Sequence, residues 1–200
     1  MSIELITLKP DEMLGQKPPF VPVGGTWIAG GAIRQWFSRT EESSDIDIFA
    51  INEKSLLDFK NEYLLSPYYK MTNKTKYQET WSNHELSLQL INIKYYANAH
   101  ELLDSFDFTI CQFAWDGKTI YSTKEAVIST LRKHLAVHRI APEFAVDSLR
   151  RAFKYNQKGY KPCWGSLRDL ANSLRVLTPE QIQQAVEISP AGGRRLERYD

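Results

Sequence analysis

The sequence predicts an α+β fold over roughly the first 120 residues, followed by a smaller helical part. Three observations carry this. Thr26-Trp27-Ile28-Ala29 is a short apolar run closed by Gly30-Gly31, as in a buried strand that turns directly into a helix. Asp45-Ile46-Asp47-Ile48-Phe49-Ala50 alternates strictly between polar and apolar, as a half-buried strand does. From Thr123 onward the apolar spacing becomes helical, with Pro142 and Pro179 near helix starts.

The elements follow in order. Pro10, Pro18, Pro19 and Pro22 interrupt the first 25 residues, which are expected to be irregular with one short helix. After the strand at 26–29, Ala32-Ile33-Arg34-Gln35-Trp36-Phe37 reads as the first turns of a helix. A polar loop from Ser38 to Ser44 leads into the alternating strand. Residues 53–65 place Leu56, Leu57, Phe59, Tyr63 and Leu64 on an apolar side and are expected to be helical. The stretches 75–81 and 86–93 read as a hairpin across Ser82-Asn83-His84-Glu85, and a short helix is expected near 99–104. Phe108–Trp115 is apolar and ends in an Asp116-Gly117 turn. Further helices are expected near 123–135, 142–158, 166–175 and 179–187. The predicted units are therefore 1–122, a helical extension over 123–188, and a flexible tail over 189–200.

Composition bounds the function. Of 200 residues, 42% are hydrophobic and 24% charged, which excludes a disordered chain or a collagen-like repeat. No apolar run approaches the roughly 20 residues of a membrane span, and the Met1 end shows no basic patch followed by an apolar stretch. A soluble cytoplasmic protein is expected, with Cys111 and Cys163 as reduced thiols. The net charge of +1 hides an asymmetry. Residues 1–130 carry 12 Lys and Arg against 17 Asp and Glu, whereas residues 131–200 carry 13 against 7. An acidic first part suits metal ions and a basic second part suits phosphates, although a basic segment is equally a solvated helical face.

The chemistry concentrates at two places. A double glycine between strand and helix lets backbone approach a phosphate, and the helix start offers free N–H groups to an anion. Arg34, one turn further, adds a fixed positive charge with forked donors. On a strand of period two, Asp45 and Asp47 share a face, and two such carboxylates suit Mg²⁺ ions whose shells triphosphate oxygens complete. Taken singly, a Gly-Gly pair is usually a turn and Asp-x-Asp is often a solvated edge. In this order and spacing they point to phosphoryl transfer.

Gly30-Gly31-Ala32-Ile33-Arg34 followed by Asp45-Ile46-Asp47 resembles the head-domain signature of the nucleotidyltransferase superfamily. More narrowly it is similar to the bacterial-type (class II) CCA-adding enzymes and their poly(A) polymerase relatives, which carry Gly-Gly-x-x-Arg-Asp before an Asp-x-Asp strand. Phe106-Asp107-Phe108-Thr109-Ile110-Cys111-Gln112-Phe113-Ala114-Trp115-Asp116 resembles the Arg-Arg-Asp-Phe-Thr-Ile-Asn-Ala-Leu-Ala-Tyr-Asp segment of that group. Leu149-Arg150-Arg151-Ala152-Phe153-Lys154-Tyr155, ending in Gly159-Tyr160, resembles its Leu-Arg-Ala-x-Arg-Phe helix closing in Gly-Phe.

The resemblance implies a polymerase-beta-like mixed sheet flanked by helices and followed by a neck-like helical extension. It implies that Asp45 and Asp47 hold the catalytic Mg²⁺ or Mn²⁺, that Gly30, Gly31 and Arg34 hold the triphosphate, and that Asp107 lies near the nucleotide sugar. The implied reaction moves a nucleoside monophosphate from an NTP, ATP or CTP first, to an acceptor hydroxyl and releases pyrophosphate. The implied acceptor is a tRNA-like RNA 3′ end, with Arg150, Arg151, Lys154 and Lys158 of the basic helix as RNA contacts. A protein side chain as acceptor, or a degenerate head that only binds nucleotide or RNA, are the alternatives.

Departures from the pattern are Gln35 where an acid follows the arginine, Phe106 where an arginine precedes Asp107, and Gln89 where many members place a third carboxylate. Glu79, Glu85 and Glu101 are the nearest acids in sequence to Gln89. The base-selecting helix of the larger members has weak counterparts only, in Leu167-Arg168-Asp169 and Leu174-Arg175. A partner or self-association is the implied source of a body that the matched segments do not cover. His84, His100, His134 and His138 show no metal spacing and are read as surface or packing residues.

Overall fold

The computed structural model describes residues 3–39 and 45–188. The 189–200 tail and most of the 38–44 loop therefore lie outside the described residues. β1 (Leu5–Leu8) opens the chain, followed by a 3-10 turn at Pro10–Glu12. Then come β2 (Thr26–Ala29), α1 (Gly31–Ser38), β3 (Ile46–Ala50), α2 (Glu53–Tyr63), β4 (Lys70–Lys74), β5 (Gln78–Ser82) and β6 (Ser87–Ile91). α3 (Ala99–Asp104), a 3-10 turn at Thr109–Cys111, β7 (Phe113–Trp115), β8 (Ile120–Thr123) and α4 (Lys124–Leu131) complete the sheet region. β9 (His134–Leu135), α5 (Ala145–Gln157), β10 (Lys161–Pro162), α6 (Trp164–Arg175) and α7 (Pro179–Ile188) make the helical part.

The eight-stranded sheet runs β1-β8-β7-β2-β3-β6-β5-β4, and its β3–β6 pair alone is parallel. Alternation sorts side chains to its two faces. Ile46 and Ile48 of β3, with Ile28, Leu88 and Leu90, pack with Ile33, Trp36 and Phe59 of α1 and α2 in one core. Phe49, Trp27 and Ala29 face the other way, into a second core with Phe106, Phe108, Ile110, Ala152, Tyr155, Tyr160 and Leu170. Asp45 and Asp47 share the parity of Phe49 and so lie on this second face.

Several elements differ from the sequence reading. β1 forms in the proline-broken first segment because Leu5–Leu8 pairs with β8, a partner far away in sequence. β4 is exposed along its whole length, so it carries no alternation to detect. β8 and β9 hide at the ends of a helix expected over 123–135, which covers only 124–131 before Lys133 takes a left-handed conformation (φ 51°). The helix expected over 142–158 begins as a 3-10 turn at Pro142–Phe144. Ala152 and Tyr155 of α5 and Leu170 of α6 join the core that the second sheet face lines. Cys111 is buried, Cys163 exposed, and both are free thiols. No described helix is long and apolar enough to cross a membrane.

Glu79 ties α2 and β4 to β5, accepting from Lys60 Nζ at 2.8 Å, Lys74 Nζ at 2.8 Å and Trp81 Nε1 at 3.2 Å. Burial alone would raise its pKa, but these donors outweigh it and hold the carboxyl down at about 2. The folded value lies below the ordinary one, so this contribution is full above pH 5 and fades as pH falls toward 2. Glu79→Gln is expected to cost about 1–3 kcal/mol at pH 7, discounted for partial exposure. The gap from wild type in denaturant melts should close progressively between pH 5 and pH 2.

Candidate active site

The site forms at one end of the sheet, where β2 ends, β3 begins and α1 starts. Gly30 caps α1 with φ 75° and ψ −131°, a conformation that side-chain-bearing residues rarely adopt. Its N–H donates to Phe113 O at 2.8 Å, fixing the turn to β7. A Cβ on Gly30 would lie 3.7 Å from Asp47 Oδ2, so the glycine backbone and the carboxylate face each other across a narrow gap. Gly31 is the first residue of α1, and the amides of that first turn have no partner within the helix. The glycine turn that opens α1 and the carboxylate of Asp47 thus meet.

Asp47 pairs in register with Ala29 on one side and Gln89 on the other. Gln89 Nε2 donates to Asp45 Oδ2 at 2.9 Å, so the residue at the third-carboxylate position holds Asp45 in place. Burial pushes the Asp47 carboxyl up to about 7; Arg151 and Lys154 pull it down, and Asp45 adds to the rise. The field at Asp47 thus comes from α5, a helix more than a hundred residues later in the chain.

Asp107 is buried at 8% exposure. Its Oδ2 accepts from Ser148 Oγ at 3.0 Å, and Oδ1 lies 3.2 Å from Arg151 Nη1. Its backbone oxygen accepts from His138 N at 2.7 Å. Arg151 also donates to Tyr155 Oη at 3.3 Å and to Cys111 Sγ at 3.4 Å. Asp107 is therefore a post that anchors α5 to the segment before β7.

Two of the expected site residues have structural partners here. Arg34, expected on the triphosphate, is completely buried (0% exposed). Its Nη1 donates to Ile110 O at 3.3 Å, and its guanidinium lies 5.2–5.3 Å from the Tyr155 and Tyr160 rings. Aromatic faces and a carbonyl compensate its charge, making it a tie from α1 to α5. Arg151, expected among the RNA contacts of the basic helix, has a part-exposed side chain that reaches Asp107 and acts electrostatically on Asp47. Of the other residues expected there, Arg150 pairs with Asp147 at 3.6 Å, Lys158 is half-buried, and Lys154 is exposed within electrostatic reach of Asp47.

The acids near Gln89 in sequence part ways in space. Glu79 pairs across the sheet with Leu90, on the face opposite Asp47. Glu101 belongs to α3 and pairs with Lys94 at 2.7 Å. Glu85 lines a cleft of about 240 Å³ with Asp45, Ser82, Asn83, His84, Leu86 and Ser87. Arg168 of α6 engages its neighbour Asp169 at 3.2 Å, and Arg175 sits in the last turn. His138 Nε2 lies 3.1 Å from Asp104, a packing contact as expected. Tyr155, Ser148 and the Asp107 partner of Arg151 were not singled out by sequence; the inward-facing period of α5 is the signal that held them. A larger cleft of about 730 Å³, lined among others by Trp27, Gly24 and Tyr121, opens at the opposite end of β2 and shares no residue with the site.

A mixed sheet of this order, with Gly-Gly at the strand-to-helix turn and the Asp pair on the next strand, defines a nucleotidyltransferase-type head domain. Residues 11–133 match the family described as Gabija anti-defense 2 family protein, and the chain belongs to that family. Gabija anti-defense 2 of Bacillus phage SPbetaL7 is 32% identical over 134 residues, covering 66% of this chain and 33% of that protein. The chain thus spans about a third of the length of this curated relative. A CCA-adding enzyme in complex with ATP shares the fold at a TM-score of 0.58 and 15% identity, over 82% of this chain and 43% of the enzyme. The Thermotoga maritima CCA-adding enzyme complexed with tRNA does so at 0.55 and 16%, over 82% and 42%. At such identities the likeness is one of fold.

Arg151→Met removes a cation that lowers Asp47 and leaves buried Asp107 without its ion partner. The Asp47 carboxyl midpoint should move upward from about 7, read by ¹³C NMR of labelled aspartates. Stability should fall by about 1–3 kcal/mol, discounted for the partial exposure of the arginine. An unmoved midpoint contradicts the assignment of the α5 field to Asp47.

Proposed function

We propose that the chain is a metal-dependent nucleotidyltransferase that moves a nucleoside monophosphate from an NTP to an acceptor hydroxyl, releasing pyrophosphate. One observation carries the reading. Asp45 and Asp47 stand on one face of β3, with Asp47 Oδ2 across a narrow gap from the glycine that opens α1.

The donor set fits a divalent metal. Two carboxylates and the amide oxygen of Gln89 are hard oxygen donors, and Mg²⁺ is commonly held by one or two carboxylates plus substrate phosphates and water. Among the described residues no third acid, histidine or cysteine joins the pair, so phosphate oxygens are the fitting remainder. When bound, the metal supplies charge neutralisation and lowers the pKa of the attacking hydroxyl.

The protein's own groups do the rest. The Gly30 and Gly31 backbone receives the triphosphate at the α1 N-terminus. Lys154, exposed and close enough to act on Asp47, adds a cation on the phosphate side. Gln89 fixes Asp45 but takes up no proton, since an amide is not a base at neutral pH. In the transfer, the acceptor oxygen forms a bond to the α-phosphorus as the bond to the pyrophosphate oxygen breaks, and the hydroxyl proton leaves to solvent.

An RNA 3′ end as acceptor has less support than the transfer itself. Arg151 is engaged with Asp107, and the segment shared with the CCA-adding enzymes leaves more than half of each of them uncovered. We further infer that the transfer serves the counter-defence role that the phage relative's name states.

The test combines binding and transfer. Mn²⁺ with NTP should raise the melting temperature by on the order of 5 °C at 100-fold excess over Kd. Asp45→Ala/Asp47→Ala should abolish the rise, together with incorporation of α-³²P-labelled NTP into cell extract. Absence of both the rise and the label in wild type would sink the proposal.

A further inference from the structure

The cleft of about 240 Å³ that opens from Asp45 along the β5–β6 turn lies on the side of the carboxylates away from Gly30 and Gly31. The strand order β2-β3-β6-β5 places the phosphate-receiving glycines on one side of the carboxylates and the β5–β6 turn on the other. An in-line displacement needs the leaving pyrophosphate and the attacking hydroxyl on opposite sides of the α-phosphorus. With pyrophosphate at Gly30 and Gly31, the attacking hydroxyl comes from the side of the hairpin cleft.

The cleft is built rather than loose. Asn83 Oδ1 accepts from the backbone N–H groups of Glu85 at 2.9 Å and Leu86 at 2.7 Å, which fixes the turn and leaves the Glu85 side chain exposed at its rim. Two of its charged lining groups are acids, Asp45 and Glu85, and His84 is the remaining titratable one. Among the described residues no Lys or Arg lines it. Its volume lies below the roughly 300 Å³ at which pockets for whole small molecules begin.

We propose that this cleft is the acceptor subsite, and that it takes a Ser, Thr or Tyr side chain of a protein in a neutral or basic surrounding rather than the polyanionic 3′ end of an RNA. The proposal rests on the nucleotidyl-transfer reading above. A nucleic-acid end would bring phosphates against Glu85 with no lining Lys or Arg to offset it, whereas a hydroxyl on an uncharged or basic protein segment meets no such repulsion. The volume admits a single side chain. Glu85 is thus an acceptor-selecting residue. The acceptor hydroxyl gains the nucleoside monophosphate through a new bond from its oxygen to the α-phosphorus, the bond to the pyrophosphate oxygen breaks, and the hydroxyl proton is lost to solvent.

The experiment incubates full-length protein with α-³²P-labelled NTP and Mn²⁺ in cell extract, which offers RNA and protein acceptors together. Products are then digested with RNase or protease. Labelling should resist RNase and vanish with protease. Glu85→Lys, at an exposed turn position, should cut that labelling about tenfold while keeping the NTP-induced melting shift. RNase-sensitive label, or protein label unchanged by Glu85→Lys, overturns the proposal. Label in neither fraction with the melting shift intact also overturns it, leaving nucleotide binding alone. Loss of both shift and label is instead the failure of the underlying transfer reading.

Discussion

The carboxylate of Asp47 is the point on which the rest of this structure turns. β3 presents it, half-buried, on the sheet face that carries the second core, where an isolated negative charge is costly. The fold answers by bringing α5 over that face, so that Arg151 and Lys154 oppose the charge from above. Even so, burial outweighs them, and the group is poised to change charge near neutral pH rather than being ionised throughout. A carboxylate this reluctant to ionise favours any ligand that brings positive charge to it.

The buried ties around the site follow from that need. Arg151 can face Asp47 only if α5 is held at a fixed rotation, and Asp107 supplies the hold through Arg151 and Ser148. Arg34 fastens α1 to Tyr155 of α5 and to Tyr160 just beyond that helix. The two charged ties share Tyr155, which Arg34 approaches by its ring face and Arg151 by its hydroxyl. Glycine backbone, carboxylate pair and helical extension are thereby coupled as one unit. This explains why α5 and α6 share the core of the sheet.

Much of this was legible in the sequence, for local reasons. Alternation in 45–50 gave both the strand and the shared face of its aspartates, and Gly30-Gly31 marked the turn because the left-handed backbone at Gly30 favours glycine. The apolar segment before Asp116 announced a buried strand. β1 and β4 were not legible, because a strand whose pairing partner lies a hundred residues away, or whose faces are both exposed, carries no period of its own. The buried partners of Arg34 and the ion pair of Arg151 were not legible for a related reason. An arginine near a phosphate-binding motif looks like a ligand contact until the tyrosines and carboxylate that enclose it are known, and those come from elements far along the chain. Gln89 was read as a missing carboxylate, and only the cross-strand register shows it supporting Asp45.

The central claim is that a divalent metal and a nucleoside triphosphate meet at Asp45 and Asp47, with Asp47 giving up a proton to receive them. Calorimetric titration of Mn²⁺ with a non-hydrolysable NTP, in two buffers of different ionisation enthalpy, measures that proton directly once metal–nucleotide binding without protein is subtracted. Binding at pH 6 should release close to one proton, release should decline through pH 7 and fade by about pH 8.5, and Asp47→Asn should remove the release and most of the affinity. Binding that releases no proton at pH 6, or that persists unchanged in Asp47→Asn, would contradict the account.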